Sequence, residues 1–144
     1  MGGRKVKSKT DILLLLLLLR LYKKPIVGRT RFQKIVCVLK EKFGVPFDYK
    51  FRAYYYGPYS KELADSLSLL QGTNLLNETT DVFEVGVVRY NYELTEKGKE
   101  TADKIISKIE KKKFLEEFEK NLSEIQQIPT TELISLSKKM CGID

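Results

Sequence analysis

The side chains best suited to chemistry fall into two clusters. Between residues 47 and 59 stand Phe47, Tyr49, Phe51, Tyr54, Tyr55, Tyr56 and Tyr59, interleaved with Lys50 and Arg52. Rings beside cations can stack single-stranded bases. Alternate rings can equally fill the gap between helices while their hydroxyls reach the surface. A mixed role would leave two or three tyrosines exposed as a recognition patch. Upstream, Arg29, Arg31 and Lys34 gather at the expected start of a helix, where unpaired backbone N–H groups already favour an anion. They read as a phosphate-binding cluster or as solvated surface cations.

A third basic group, Arg4, Lys5, Lys7 and Lys9, lies among Gly and Ser in the first nine residues. Such a segment is too polar to pack. It is either an arm that gains affinity for phosphates by counterion release or a solvated tail. Charge is distributed unevenly. Residues 1–35 carry ten Lys/Arg against one acid, whereas residues 61–100 carry four against eight. The overall charge of +7 and pI near 9.3 permit an anionic partner, and the asymmetry places any nucleic-acid footprint near the N-terminus.

The chain has no histidine and only two cysteines, Cys37 and Cys141. That removes most hydrolytic and metal chemistry, and no Gly-rich phosphate loop follows a strand, so neither an enzyme nor a cofactor is expected. Cys37 falls inside an apolar helical pattern and reads as a buried, inert thiol; Cys141 reads as free. A disulfide framework is not expected, which suits a reducing, cytoplasmic setting. The absence of His and Trp beside abundant Lys, Glu and Ile would suit a thermophile.

These residues need elements to hold them. Ile12–Leu19 is an unbroken apolar run, seven of its residues Leu. It mimics a signal peptide, but Asp11 interrupts its entry and Arg20, Lys23 and Lys24 follow without a cleavage site. It is too short to span a membrane. A helix apolar on every side is a buried one, so residues 11–23 are expected to form the central core helix, capped by Thr10 or Asp11 and ended by Pro25. Thr30 and Gln33 have capping-box spacing for a second helix over 30–43, with Phe32, Ile35, Val36, Leu39 and Phe43 on one face.

Gly57-Pro58 is expected to turn the chain after the tyrosines, and Ser60 to cap a third helix. Leu63, Leu67 and Leu70 recur at helical spacing and predict its core face. The opposite side carries Lys61, Glu62, Asp65, Ser68 and Leu69. Two acids there would repel phosphates, and no Arg is placed to read guanine. Asn74–Glu78 predicts a short strand and Thr79–Asp81 a polar turn. Val82–Val85 and Val87–Leu94 then predict a β-pair, with Gly86 as tip or bulge and Arg89 the only cation in it. Thr95 is placed to cap a fourth helix. Glu110–Lys113 predicts a break, and Pro129 the start of a last helix, Thr130–Met140.

The expected fold is α+β and mostly α: a winged helix-turn-helix with a small β-wing and a C-terminal helical extension. Residues 1–10 are read as a flexible basic arm, 11–98 as the winged-helix domain, and 99–144 as an extension that wraps the core or forms a dimer seam. Phe32-Gln33-Lys34, then Tyr56-Gly57-Pro58-Tyr59-Ser60, then YELTEKGKE resemble the YwgA-like and Panacea (SocA-like antitoxin) group. The likeness covers residues 28–72 well and 90–100 loosely. It implies a small winged-helix-like domain whose relatives act in toxin–antitoxin and phage contexts, commonly through protein contacts, and it does not imply an enzyme.

Two functions follow as expectations. The first is a DNA-binding transcriptional regulator or other DNA-associated factor. It would meet double-stranded DNA through Arg4, Lys5, Lys7, Lys9, Arg29, Arg31, Lys34 and Arg89. The alternative is an antitoxin-like protein-interaction adaptor without direct DNA reading. Its partner would be met by Tyr56, Tyr59, Lys61, Glu62, Asp65 and Leu69. A homodimer is open in both, and no membrane contact is expected.

Overall fold

A leucine run without a polar side has to be buried, and the fold is built around it. The computed structural model describes residues 9–142. Its first helix, α1 (Lys9–Leu21), buries Leu14 through Leu19 against a fourth helix, a fifth helix and the main sheet. The helix begins at Lys9, so Asp11 does not cap it. Asp11 instead turns inward, and its carboxylate accepts a hydrogen bond of 2.8 Å from the Asp48 N–H, tying the loop over residues 42–51 to α1. Burial pushes this carboxyl above its ordinary pKa. The helix also stops at Leu21, before Pro25 is reached.

The chain continues through β1 (Ile26–Val27), α2 (Arg29–Glu41), β2 (Arg52–Tyr54), β3 (Gly57–Tyr59) and α3 (Lys61–Gly72). Then come β4 (Leu76–Glu84), β5 (Val87–Leu94), α4 (Glu96–Lys108), α5 (Lys112–Gln126) and α6 (Thr130–Met140). The architecture is α+β and mostly helical, with two small antiparallel sheets. One has the order β1-β5-β4; the other is the β2–β3 hairpin. Ile26 pairs with Tyr92, so the short strand β1 joins β5 to the linker between α1 and α2.

Three local expectations are corrected. The hairpin turn is Tyr55-Tyr56, since Tyr54 pairs with Gly57; Gly57 and Pro58 lie in β3. No turn occurs at Thr79–Asp81: β4 runs unbroken and pairs residue by residue with β5, with a register shift only between Val82 and Glu84. Thr here is a β-former facing a partner strand, and pairing outweighs its turn preference. Finally, α2 starts at Arg29 behind Gly28, with no side-chain cap, and Gln33 is used elsewhere.

The C-terminal helices cover the core. Helix α4 lies on α1, with the Arg20 guanidinium 2.9 Å from the Asp103 carboxylate, and α6 lies on α2 and β3. Phe118, Leu122, Ile125 and Leu133 are buried with the α1 leucines. The break before α5 and the start of α6 fall where the sequence placed them.

The exit from β5 shows why one glycine is needed. The Thr95 hydroxyl accepts from Gly98 N–H at 2.9 Å and donates to the Asn74 carbonyl at 2.8 Å. A Cβ on Gly98 would overlap the Leu75 carbonyl oxygen. The Thr-x-x-Gly spacing therefore docks the first turn of α4 on the strand entry.

Candidate interaction surface

Two of the three motifs that carry the resemblance meet in space, Phe32-Gln33-Lys34 and Tyr56-Gly57-Pro58-Tyr59-Ser60. Gln33 on α2 is buried, and its side-chain amide embraces the Ser60 backbone. Nε2 donates to the Ser60 carbonyl at 3.0 Å, and Oε1 accepts from the Ser60 N–H at 2.8 Å. One residue on, the Lys34 ammonium donates to the Pro58 carbonyl at 2.8 Å. Ser60 is thereby held where its hydroxyl accepts the Leu63 N–H at 3.2 Å and caps α3. Gly57 takes φ 95°, and the stem of Lys138 from α6 passes 3.3 Å from where its Cβ would be. A side chain would be strained there and would press on that lysine.

This clamp thrusts the turn outward. Tyr55 is 84% exposed, with Tyr54 and Tyr56 also mostly outside. Tyr54 lies 4.8 Å from both Tyr55 and Tyr59, so the rings support one another. The aromatic segment therefore divides: Phe47 and Tyr49 are buried in the core, while Tyr54–Tyr56 stand in solvent beside the exposed Arg52.

The cations expected at a phosphate backbone are held by the protein. Lys34 is only 2% exposed, and burial lowers its pKa to about 8. Arg31 spreads its guanidinium over the end of α5. It donates to the Ile128 carbonyl at 2.8 Å, the Thr130 hydroxyl at 3.1 Å, the Ile125 carbonyl at 3.3 Å and the Gln126 carbonyl at 3.5 Å. Its Nε donates to the Tyr22 hydroxyl at 3.3 Å. The fork of five donors that suits a phosphate suits a helix C-terminus equally well. Lys34 is corrected from a surface cation to a buried one, and Arg31 is half-buried with its guanidinium tied to the protein's own acceptors.

Arg29 is exposed but lies 3.6 Å over the Tyr90 ring and 3.9 Å from the Glu78 carboxylate. Arg89 makes a two-point ion pair with Asp81 across the β4–β5 ladder, at 3.1 and 3.2 Å. Lys9 is exposed at the start of α1; Arg4, Lys5 and Lys7 lie outside the described residues.

The expected partner residues are placed more openly. Tyr56 is exposed at the hairpin turn, and Tyr59 is half-buried beside Tyr54. Lys61 pairs with Asp65 at 3.5 Å along α3, and Glu62 accepts from the Ser60 hydroxyl at 3.0 Å, which spends it on the helix cap. Leu69 is 44% exposed beside Asp65, Ser68 and Thr73, about 12 Å along the helix from Lys61. Inside α3, a cleft of about 240 Å³ opens between α2, α3 and β4, lined by Arg29, Gln33, Tyr59, Ser68 and Glu78 among others.

The β4–β5 hairpin carries a surface the sequence reading missed. Val82, Val85, Val87 and Val88 are all exposed, and Val85 completely so. Val82 and Val88 face each other across the ladder, and Val85-Gly86 forms the tip. The signal was available: turns are ordinarily polar, and this one reads Val-x-x-Val-Gly-Val-Val. Counting only charges in the hairpin concealed it.

The chain is similar to the uncharacterized protein YwgA of Bacillus subtilis (strain 168). The two are 37% identical over 73 residues, which is 51% of this chain and 43% of that protein. The matched stretch thus spans less than half of that relative's length. No family model matches the chain. Among the described residues no helix is long and apolar enough to cross a membrane.

Proposed function

We infer that this chain is a protein-interaction adaptor of the antitoxin-like kind, built on a winged-helix frame. The order α1-β1-α2-β2-β3-α3-β4-β5, with the β2–β3 hairpin set between α2 and α3, and the sheet order β1-β5-β4 support that frame. The observation that carries the adaptor reading is the exposed apolar tip at Val82, Val85, Val87 and Val88. Exposed apolar patches rimmed by polar residues mark protein contact sites. The tyrosine hairpin adds rigid amphipathic rings of the type enriched at interfaces. Arg31 and Lys34, which a DNA-reading protein would turn outward, are tied to the protein's own acceptors.

Site-specific photo-crosslinking from position 85 in the native host tests this reading. A discrete protein adduct, lost when Val82 and Val88 are both changed to Lys, is the expected result. Adducts to nucleic acid alone would overturn it.

DNA association is the second reading, favoured by the ten Lys/Arg within residues 1–35. It requires duplex binding that weakens steeply with salt, because each phosphate contact releases counterions. A gel-shift series that shows no binding at low salt removes it. So does binding unaffected by changing Arg4, Lys5, Lys7 and Lys9 together to Gln.

A further inference from the structure

The two cysteines lie 104 positions apart in the chain, yet their Sγ atoms are 3.2 Å apart. Cys37 is buried and Cys141 is free, as the sequence suggested, and the fold brings the two thiols together. Cys37 is on the face of α2 that receives α6, and Cys141 caps the C-terminal end of α6. Cys37 is wholly buried, whereas Cys141 is partly open to solvent. Each cysteine follows a lysine by three residues, Lys34 on α2 and Lys138 on α6. Both lysines pack against the β2–β3 hairpin, Lys34 through the Pro58 carbonyl and Lys138 along Gly57.

We propose that Cys37 and Cys141 form a reversible dithiol–disulfide site that reacts with low-molecular-weight disulfides and bolts α6 to α2 behind the tyrosine hairpin. A disulfide needs sulfurs about 2.05 Å apart, so the two Sγ atoms have about 1 Å left to close. The open thiol reacts first. Cys141 gives its proton to solvent, and its thiolate attacks one sulfur of oxidised glutathione. A Cys141–glutathione bond forms, and the glutathione disulfide breaks to release a thiolate. Cys37 Sγ then attacks Cys141 Sγ. The Cys37–Cys141 bond forms, the bond to glutathione breaks, and the Cys37 proton passes to the departing thiolate. Two protein thiols are oxidised by two electrons, and one small disulfide is reduced to two thiols.

Burial explains the order of attack. It pushes the Cys37 thiol well above its ordinary pKa, so Cys37 does not meet a soluble oxidant as a thiolate. Once Cys141 carries a leaving group, Cys37 is already within reach. The bond would close a loop of more than a hundred residues, and long loops lose the most unfolded-state freedom on cross-linking.

The test uses the full chain with oxidised glutathione as oxidant and dithiothreitol as reductant. Expected after oxidation are a monomer lighter by two hydrogens, a peptide map joining the Cys37 and Cys141 fragments, and a Tm higher by roughly 10 °C. Dithiothreitol should reverse all three. The Cys141→Ser variant should keep a free Cys37 and a Tm indifferent to the oxidant. Two surviving thiols, a glutathione adduct on Cys141 that never resolves, or a link between two chains would each overturn the proposal. The wild-type peptide map decides the matter even where the variant does not fold. None of these outcomes depends on the adaptor reading.

Discussion

The two β-hairpins present exposed apolar side chains by opposite means. The β2–β3 hairpin has three-residue strands and almost no ladder of its own. It is held from beneath by Gln33, Lys34 and Lys138, side chains from two helices. The β4–β5 hairpin has strands of nine and eight residues and holds itself by backbone pairing. It is anchored only at its base, where Leu76, Tyr92 and Leu94 are buried. A short hairpin needs buried polar partners, and a long one does not. A loss under the first should cost stability, whereas a change at the tip of the second should cost only contact.

Breaking the β4–β5 hairpin at its base should have the largest effect. Gly98→Ala forces a Cβ against the Leu75 carbonyl, so α4 must lift from the strand entry. A loss of about 4 kcal/mol is expected in urea unfolding. Next is Gln33→Ala, which leaves the buried Ser60 N–H without its partner and the Ser60 carbonyl with only the Ala64 N–H at 3.3 Å. About 2 kcal/mol should be lost, since the abandoned N–H costs its desolvation. Fluorescence of the exposed tyrosines should change in the native state as the hairpin loosens. An equal loss from Gln33→Ala in a chain whose Ser60 remains capped would break the comparison.

Lys34 gives the comparison a pH signature. Its folded pKa of about 8 lies below its ordinary value of 10.5, so the folded chain releases this proton first. The unfolded state binds more protons between those values, and stability from this group rises with pH across that window. Below pH 8 the buried charge opposes folding in full. Relative to Lys34→Met, the wild type should therefore gain up to about 2 kcal/mol between pH 8 and 10. A gap that stays constant with pH would show that Lys34 is not charged against its burial.

The smallest stability effect belongs to the tip of the β4–β5 hairpin. Val82→Lys with Val88→Lys should shift unfolding by no more than about 0.5 kcal/mol, because neither side chain is packed. The same pair of changes should abolish the crosslinked partner. A large loss of stability instead would mean the tip is folded onto the body and is not a free surface.

Much of the scaffold was legible because local rules and burial agreed. The all-apolar run could only be central, and α1 is. Ser60 and Thr95 cap the helices they precede, and Leu63, Leu67 and Leu70 face inward. The break before α5 was visible as a cluster of four charges. The candidate site was legible only in part. Tyr56 and Leu69 are exposed as their positions suggested, but Lys34 is buried, Arg31 is tied to the protein's own acceptors and the valine tip was overlooked.

Those misses share a cause. A lysine or arginine on a helix reads as surface until something large covers that face, and here α6 and the β2–β3 hairpin cover it. Gln33 had the spacing of a capping residue, but its amide found a better pair of partners in Ser60, 27 positions away. Sequence alone determined which segments are helices, the caps at Ser60 and Thr95 and which faces are apolar, since those depend on neighbours within a few residues. Only the tertiary structure decided which cations meet solvent, which tyrosines stand out and which two sulfurs touch. Each depends on packing between α2 and elements far along the chain, and no local pattern records what will cover a helix face.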